Sequence, residues 1–236
     1  MVNEMDIAGR WPSPITISRG WARAKARPWN QEATDAFVRL DRGGVDFLEA
    51  ATDYLAELTG AAVYSPAMYP SSTRVWTRAG YVETHQLEIL ERSTQNAAPP
   101  EGIKVLTVVD WSRIQEIDDA AFDGFWRMST DGLKEAIAST KRAVVLAVGE
   151  EAIDGYAIVG AQWNVSYLQR IAVHPDRSGA GMGSVLLRAA LSWGRQQAAT
   201  TMVLNVRDEN TRARRLYKKE GFSSTGTRLR ILRYGP

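Results

Sequence analysis

One stretch, residues 167–187, constrains the fold of this chain more than any other. It begins with an apolar run that contains Ile171 and Val173 and reaches the dipeptide His174-Pro175. Three glycines at alternate positions follow, and then an apolar pattern with helical spacing. Proline cannot donate a hydrogen bond to a sheet ladder, so the apolar run should end there. The stretch therefore predicts a strand, a glycine-rich turn and a helix that extends to about Gln197.

The glycine-rich turn, residues 179–183, has the chemistry of an anion site. Glycines let the backbone approach a ligand closely and adopt positive φ. The helix that follows begins with unpaired N–H groups and the positive end of its dipole, a combination that most often binds phosphate. Arg177 adds formal positive charge beside it. A plain strand-to-helix turn with spare glycines is the alternative interpretation.

Two well-known phosphate-binding loops do not fit this turn. A dinucleotide-binding turn needs a third glycine where Ser184 stands, and a nucleotide P-loop needs a lysine directly after its last glycine. Neither requirement is met. The sequence therefore predicts an anion site of another class.

Composition excludes several classes of protein. The chain has 236 residues, enough for one large or two small domains, and its formal net charge of +2 gives no strong electrostatic reason to expect a nucleic-acid or membrane partner. There is no cysteine, which excludes disulfides, thiolate zinc sites and cysteine nucleophiles. The two histidines are too few and too separated for a metal site. Because no signal-peptide pattern or long apolar run is present, we expect a cytoplasmic protein.

Periodicity along the first part of the chain predicts mostly helix and short strands. Residues 15–25 read as a strand. A long helical pattern over residues 33–58 should be broken into two helices by Gly43-Gly44, with Gly60 as the stop of the second. Residues 81–90 read as another strand. The polar stretch 93–102, with its proline pair, is the best linker candidate.

The second part of the chain alternates strands and helices. Its helices have good N-cap residues in Asp110, in Ser129 or Thr130, and in Asn210. The predicted strands are residues 103–109, 143–148, 152–163, 165–174, 202–206 and 222–234. This order predicts a mixed α/β (α+β) layer.

A second motif follows the strand at residues 202–206. After Asn210, the residues Ala213, Leu216 and Tyr217 recur at the spacing that puts them on one helix face. Gly221 is a suitable helix stop. Taken alone, Tyr217 reads as a core aromatic residue more readily than as a catalytic one.

Together the two motifs resemble the GNAT (Gcn5-related) N-acetyltransferase superfamily. They read I-A-V-H-P, then G-x-G-x-G-S, then N-x-x-A-x-x-L-Y-x-x-x-G-F, and the resemblance covers about residues 103–236. It implies a mostly antiparallel central sheet flanked by helices, and transfer of the acetyl group of acetyl-CoA to a primary amine by direct attack. The acceptor stays open between a protein N-terminus, a lysine and a small amine, and the assembly between a monomer and a homodimer. A non-catalytic acyl-CoA-binding regulatory or interaction module with the same fold is the alternative function.

The resemblance also implies roles for residues. The backbone of the central strand would pair with the pantetheine arm, the glycine turn would hold the pyrophosphate, and Tyr217 would protonate the leaving CoA thiolate. The implied cofactor-binding residues are Ile171, Ala172, Val173, Arg177, Ser178, Gly179, Ala180, Gly181, Met182, Gly183, Ser184, Asn210 and Tyr217. The implied substrate-side residues are Phe122, Phe125, Trp126, Tyr167, Gln169 and Asn205. No metal is implied.

Two departures from the superfamily pattern affect these roles. Ser178 stands where Gln or Arg usually precedes the first glycine, so we expect weaker or re-aimed phosphate contacts. The segment around Asn205 resembles the branch that acetylates the N-terminus of a ribosomal protein, and that branch has a Glu general base at this position. An amide cannot take up the proton. The candidate bases are then Asp119, Asp123, Glu209, or a water held by Tyr167 or Gln169.

The sequence of the first part of the chain resembles a degenerate repeat of the second part. A shift of 141 residues brings Gly221-Phe222 onto Gly80-Tyr81, but Tyr217 onto Trp76. The glycine turn falls on residues 38–42, where there is no glycine. An unrelated helical extension is the alternative. We therefore expect a smaller, degenerate partial acetyltransferase-like lobe without a cofactor site, a linker and a catalytic domain, at residues 1–92, 93–102 and 103–236.

Overall fold

The computed structural model describes residues 5–30, 34–95, 104–105, 110–149 and 152–235. The chain divides into two compact units. Unit 1 consists of Met1–Leu87 with Arg228–Pro236, and unit 2 of Glu88–Thr227. Both divisions fall inside strands, so two strands contribute residues to both units. The division into residues 1–92 and 103–236 with a linker stays a prediction, and most of the linker lies outside the described residues.

Unit 1 is a sheet with one long helix. Its elements are β1 (Asp6–Ala8), β2 (Ile15–Arg19), β3 (Ala22–Pro28), β4 (Ala36–Arg42), α1 (Val45–Thr59), β5 (Val63–Tyr64), α2 (Arg74–Arg78), the first half of β6 (Val82–Ser93) and the end of β12 (Ser223–Tyr234). Neighbouring strands follow the order β1-β2-β3-β4-β5-β12. The β4–β5 pair is parallel, and the other pairs in this order are antiparallel.

Helix α1 forms because its apolar residues share one face. Phe47, Leu48, Ala51 and Leu55 are buried in the core that α1 makes with β2, β3 and β4. The helix ends at Gly60, which adopts the left-handed conformation with φ 64° and donates its N–H to the carbonyl of Ala56. The predicted stop at Gly60 is therefore confirmed.

The prediction of a helix before Gly43-Gly44 is wrong. Residues 36–42 form β4, in which Ala36 and Val38 are fully buried and Arg39 is exposed. This alternation has the period of a strand, and packing against α1 outweighs the helical spacing of the wider window. Residues 31–33 lie outside the described part of the chain. The single strand predicted over residues 15–25 is a hairpin of β2 and β3, turning at Gly20 with φ 60°.

Unit 2 has a sheet covered by helices on both faces. Its elements are the second half of β6, β7 (Lys104–Val105), α3 (Trp111–Ala121), α4 (Thr130–Ala138), β8 (Arg142–Val148), β9 (Gly155–Gln162), β10 (Val165–Val173), α5 (Met182–Gln196), β11 (Thr201–Val206), α6 (Thr211–Lys219) and the start of β12. The strand order is β6-β11-β10-β9-β8-β7. In this order the β10–β11 pair is parallel and the remaining pairs are antiparallel.

Residues of β9 show how the two faces are filled. Ala157 and Val159 pack in a core with α5 and α6, whereas Tyr156 and Ile158 pack in a second core with α3 and α4. A strand buried on both faces needs residues without charge at every position, and β9 is buried without a break from Gly155 to Ala161. The predicted fold, mixed α/β with a mostly antiparallel sheet flanked by helices, is confirmed.

The two units repeat the same order of elements. β4-α1-β5 and β10-α5-β11 each place a helix between two parallel strands, and α2-β6 repeats α6-β12. The predicted shift of 141 residues brings Ser223–Tyr234 onto Val82–Ser93. The glycine turn corresponds to Gly43-Gly44, not to residues 38–42 as predicted, because α1 begins closer to its strand than α5 does. Unit 1 therefore has a two-residue connection where unit 2 has a long loop.

Candidate functional site

The site is built around the end of β10, which has one open edge. Residues 171–173 pair with residues 155–157 of β9. On the other side β10 pairs with β11 along residues 165–168, and none of the described residues of β11 pairs with residues 171–173. A ligand with amide groups can hydrogen-bond to this free edge as an added strand would.

The loop after β10 leaves an open cradle. Gly179 and Gly181 adopt φ 93° and 80°, a region that favours glycine, and a Cβ built on either would meet nothing within 4 Å. Helix α5 begins at Met182, and its first helical hydrogen bond runs from the N–H of Val185 to the carbonyl of Gly181. The N–H groups of residues 182–184 therefore have no partner within the helix, and its first turn carries no acidic residue. This geometry suits an anionic ligand.

Two predicted loop residues are engaged with the protein. The Arg177 Nε lies 3.5 Å from Asp154 Oδ1, with its side chain 63% exposed. The Ser184 side chain is buried, and its hydroxyl helps to lower the pKa of the Glu220 carboxyl. Ser178 and Ala180 are exposed.

Glu220 ties α5 to the end of α6. Its carboxylate accepts hydrogen bonds from Arg188 Nε and Nη2 at 2.9 and 3.0 Å. Burial raises the pKa of the Glu220 carboxyl, but hydrogen bonds from Arg188 and Ser184 and the charges of Arg188 and Arg92 outweigh it and hold the pKa below its usual value. The start of α5 is thereby fixed against α6, which carries Tyr217.

Tyr217 is a buried phenol on α6. Its side chain is 5% exposed and packs in the core with α5, with its ring centroid 5.9 Å from that of Phe222. The hydroxyl makes no hydrogen bond with any residue in the described part of the chain. Burial raises the pKa of Tyr217 to about 12, although the positive charge of Arg170 lowers it. The phenol is therefore protonated at neutral pH and can act as a proton donor.

Asn210 has a structural role. Its Oδ1 accepts the N–H of Ala213 at 3.0 Å, which caps α6 as the sequence predicts. The cap fixes the start of the helix on which Tyr217 lies. The predicted contact of Asn210 with the cofactor stays a prediction.

A buried ion pair that the sequence reasoning missed supports β10 from the side of α3. Arg170 donates to Asp118 from Nε and Nη2, both at 2.7 Å. Asp118 also accepts from Tyr156 Oη at 2.5 Å and from the N–H of Met128 at 3.0 Å. Burial, and then the charge of Asp118, raise the pKa of Tyr156 well above its usual value. The available signal was Asp118 itself, which lies at helical spacing from the apolar residue Ile114.

The predicted aromatic residues of the substrate side are attached to this ion pair. The guanidinium carbon of Arg170 lies 3.5 Å from the centroid of the Phe122 ring, and Arg170 Nη2 donates to the carbonyl of Trp126 at 2.9 Å. The Phe125 ring stacks edge-on against that of Trp126, with centroids 5.1 Å apart. Phe122, Phe125 and Trp126 therefore form one ordered segment beside β10.

The polar residues that the sequence predicts for the substrate side are more exposed. Tyr167 and Asn205 are exposed. Gln169 lies at a β-bulge of β10, where its Nε2 donates to Ser139 Oγ at 2.6 Å. Its Oε1 is buried and has no hydrogen-bond partner among the residues that the structure describes.

Two of the three candidate carboxylate bases are engaged. Asp119 Oδ1 accepts from Gln115 at 2.9 Å, and Asp123 Oδ1 lies 3.9 Å from Arg207 Nη1 with its side chain 88% exposed. Glu209 is exposed. Within the described ranges, no group of His, Cys, Asp and Glu could hold a metal ion. No helix in those ranges is long and apolar enough to cross a membrane.

Comparison with known proteins gives one family. Residues 111–222 match the acetyltransferase (GNAT) family. A mycothiol acetyltransferase from Saccharomonospora viridis is 25% identical over 190 residues, which are 70% of this chain and 62% of that protein. A Bacillus subtilis protein named for N-acetylation of the alanine of ribosomal protein bS18 is 24% identical over 128 residues, or 54% of this chain and 83% of that one.

A solved structure shares the architecture. It is a tandem GNAT protein from the clavulanic acid biosynthesis pathway, with a TM-score of 0.61 and 14% identity, covering 94% of this chain and 83% of that one. At this identity the likeness concerns the fold alone. It agrees with the repeated order of elements in units 1 and 2.

Proposed function

We propose that the protein is an N-acetyltransferase that uses acetyl-CoA and a primary amine, on the premise that residues 111–222, which match the acetyltransferase (GNAT) family, are a member of it. The observation that carries the proposal is the open cradle at Gly179 and Gly181. It lies directly before the unpaired N–H groups of α5 and directly after the open edge of β10. An ordinary strand-to-helix turn needs neither two left-handed glycines nor an unpaired strand edge.

The residues present fit an elongated ligand with a phosphate-bearing end. The backbone of residues 171–173 would pair with the amides of the pantetheine arm, and the N–H groups of residues 179–184 would hold the pyrophosphate. Arg177, Ser178 and Asn210 would contribute further contacts. Acetyl-CoA supplies an activated acetyl thioester when it is bound.

Tyr217 would give its proton to the thiolate that leaves. A pKa of about 12 keeps the phenol protonated at neutral pH, and since the hydroxyl has no hydrogen-bond partner among the described residues, its proton is available. The nearby charge of Arg170 would stabilise the phenolate that forms. Because Asp118 holds Arg170 in place, this charge is already oriented before the reaction.

The acceptor is proposed as a class only. The two curated relatives above are named for different acceptors, mycothiol and a ribosomal protein alanine. The substrate side of this chain combines aromatic rings with polar groups, which suits an amine carried on either kind of molecule. We therefore propose a primary amine, with Phe122, Phe125, Trp126, Tyr167, Gln169 and Asn205 as its surroundings.

Unit 1 is proposed as a lobe without its own cofactor site. Only Gly43-Gly44 connects β4 to α1, and Asp46 places a negative charge in the first turn of that helix. Trp76 stands in place of the tyrosine and cannot donate a proton as a phenol does. These features oppose a second anion site.

The test is release of CoA from acetyl-CoA in the presence of amine probes. The probes are a hexapeptide with an N-terminal alanine, an Nα-acetyl-lysine amide, spermidine and glucosamine. In Tyr217→Phe we expect kcat to fall by about 10²- to 10⁴-fold, the usual contribution of a positioned acid. The matched control is Tyr69→Phe, an exposed tyrosine of unit 1. Equal turnover by the wild type and Tyr217→Phe would refute the acid assignment.

Cofactor binding has its own test. Acetyl-CoA at about a hundred times its Kd should stabilise the protein by about 2.7 kcal/mol, visible as a raised Tm. Gly181→Glu should lose this shift, because it places a side chain and a negative charge in the cradle. The control is Gly226→Glu, since Gly226 has φ 75° and open space around it but lies far along the chain in β12.

A non-catalytic acyl-CoA-binding module is the second candidate. It is favoured by Asn205, an amide where the resembling branch has a general base. A raised Tm with acetyl-CoA but no CoA release with any probe would select it.

A further inference from the structure

The sheet of unit 2 brings an additional carboxylate beside Asn205. Strand β6 pairs antiparallel with β11, and the pairing sets Glu91 opposite Val203 and Ile89 opposite Asn205. Directly opposed residues of antiparallel strands project from the same face of the sheet. Glu91 is therefore the diagonal neighbour of Asn205.

The face on which Glu91 lies follows from its neighbours. Leu90 and Leu204 oppose each other and are both buried in the core with α5. Successive residues of a strand alternate between faces, so Glu91, Val203 and Asn205 project from the face opposite α5. This is the face on which α3, α4 and the aromatic segment of the site pack.

The substrate-side residues of β10 lie on the same face. Leu168 is buried with α5, which places Tyr167 on the other face. Tyr167 is the partner of Val203 in the parallel pairing of β10 with β11. One row across three strands therefore runs from Tyr167 through Val203 to Glu91, next to the position of Asn205.

The distance between the positions of Glu91 and Asn205 is short enough for a glutamate side chain to bridge. Diagonal neighbours in an antiparallel pair are about 7–8 Å apart, a spacing that long side chains can bridge. The carboxylate of Glu91 can thus reach the space above Asn205.

The carboxylate of Glu91 is also available. It is exposed and makes no hydrogen bond or ion pair with any residue in the described ranges. By contrast, Glu88 on the same strand accepts from Arg214 and Ser224, and Asp118 is neutralised by Arg170. Since neither of these carboxylates is free to accept a proton, Glu91 is the better placed base.

We propose that Glu91 is the general base that takes a proton from the ammonium form of the acceptor. The proposal rests on the acetyl transfer proposed above. The ammonium loses one proton to Glu91, and its nitrogen bonds to the acetyl carbon while the carbon–sulfur bond breaks. Tyr217 gives its proton to sulfur and regains one from the nitrogen, and Glu91 releases its proton to solvent. The products are an N-acetylated amine and CoA.

The experiment compares Glu91→Gln with wild type by the pH profile of kcat/KM, using the amine probes named above. At pH 7 we expect a loss of about 10²- to 10⁴-fold. Without the base, the rate of Glu91→Gln should follow the fraction of free amine and rise tenfold per pH unit toward the pKa of the acceptor. A merely structural role would lower the rate without changing the profile. Glu91→Asp should retain part of the activity.

A rescue and two controls make the test specific. Adding Asn205→Glu to Glu91→Gln returns a carboxylate to the same space. The double variant should have a kcat/KM at least tenfold higher than that of Glu91→Gln. Glu57→Gln, an exposed glutamate of α1, should match wild type. The Tm shift with acetyl-CoA should be the same in Glu91→Gln and wild type, which shows that folding and the cradle are intact.

The outcomes separate the two proposals. If wild type turns over a probe and Glu91→Gln has kcat/KM within twofold of it at pH 7, the role of Glu91 is refuted while the transferase remains. A loss confined to Glu209→Gln would also refute it. If wild type binds acetyl-CoA and acetylates none of the probes, the proposed function fails and the role of Glu91 fails with it.

Discussion

Arg170 on β10 and Asp118 on α3 face each other as a buried bidentate ion pair, with both hydrogen bonds at 2.7 Å. The side chain of Asp118 is 0% exposed and that of Arg170 11% exposed. The pair joins the strand that would bind the cofactor to the aromatic segment that would face the acceptor. We therefore expect stability and the proposed activity to depend on the same two residues.

Asp118→Asn should therefore be strongly destabilising. Removing one partner leaves the guanidinium of Arg170 buried without its counter-charge, which typically costs about 3–5 kcal/mol. The measurement is the free energy of unfolding from urea denaturation. Asp123→Asn is the control, because its carboxylate is 88% exposed and should change the free energy by less than about 0.5 kcal/mol. A similar small change in both variants would contradict the importance of the pair.

Tyr217 should make stability depend on alkaline pH. Its pKa is about 12 in the folded protein and 10.0 as a free tyrosine. The unfolded chain therefore loses this proton first, and stability present below pH 10 is lost as pH rises toward 12. This difference in pKa corresponds to about 2–3 kcal/mol in the free energy of unfolding. Urea denaturation of wild type and Tyr217→Phe at pH 9 and pH 11 measures it, and the loss should be smaller in the variant.

Glu220 should make the stability of the protein depend on acidic pH. Its pKa is below the ordinary value of 4.5, so it contributes stability above that value, and the contribution is lost as pH falls through the lower folded pKa. In Glu220→Gln we expect a flatter dependence of the Tm on pH below about 5. Glu57→Gln should keep the slope of wild type. An unchanged slope in Glu220→Gln would show that Arg188 does not stabilise the charged form.

Gly194 allows two opposing effects to be weighed. Replacing a glycine inside a helix by alanine usually gains about 1 kcal/mol. At Gly194 the new Cβ would meet Ser166 Oγ at 2.5 Å and Ser166 Cβ at 2.9 Å, and overpacking a core typically costs about 1–3 kcal/mol. We expect Gly194→Ala to lower the Tm. Gly44→Ala, where the new Cβ meets nothing within 4 Å, is the control without a clash; because Gly44 is the N-cap of α1, where glycine is preferred to alanine, we expect a smaller fall in Tm than in Gly194→Ala.

Local signals made much of the fold predictable. The cap at Asn210, the stop at Gly60 and the glycine turn before α5 are set by neighbouring residues, so a short window contains the information. Residues 36–42 were mistaken for helix because their burial depends on α1, which the window cannot represent. The apolar spacing there is compatible with both periods until the packing partner is known.

The site was predictable in part for the same reason. The cradle and Tyr217 belong to continuous motifs, whereas Arg170 and Asp118 are 52 residues apart and meet only in the folded chain. Glu91 is more remote still. It lies on β6, which sequence reasoning assigned to the first region, and only the register with β11 places it next to Asn205.

The sharing of β6 and β12 between the units has a practical consequence for anyone dividing the gene. A fragment that begins at residue 103 keeps the glycine cradle and Tyr217, but it lacks residues 88–93, the strand that borders β11. Such a fragment would expose the edge of β11 to other chains and would carry no Glu91. Modularity in the sequence is therefore a poor guide to where this polypeptide can be cut.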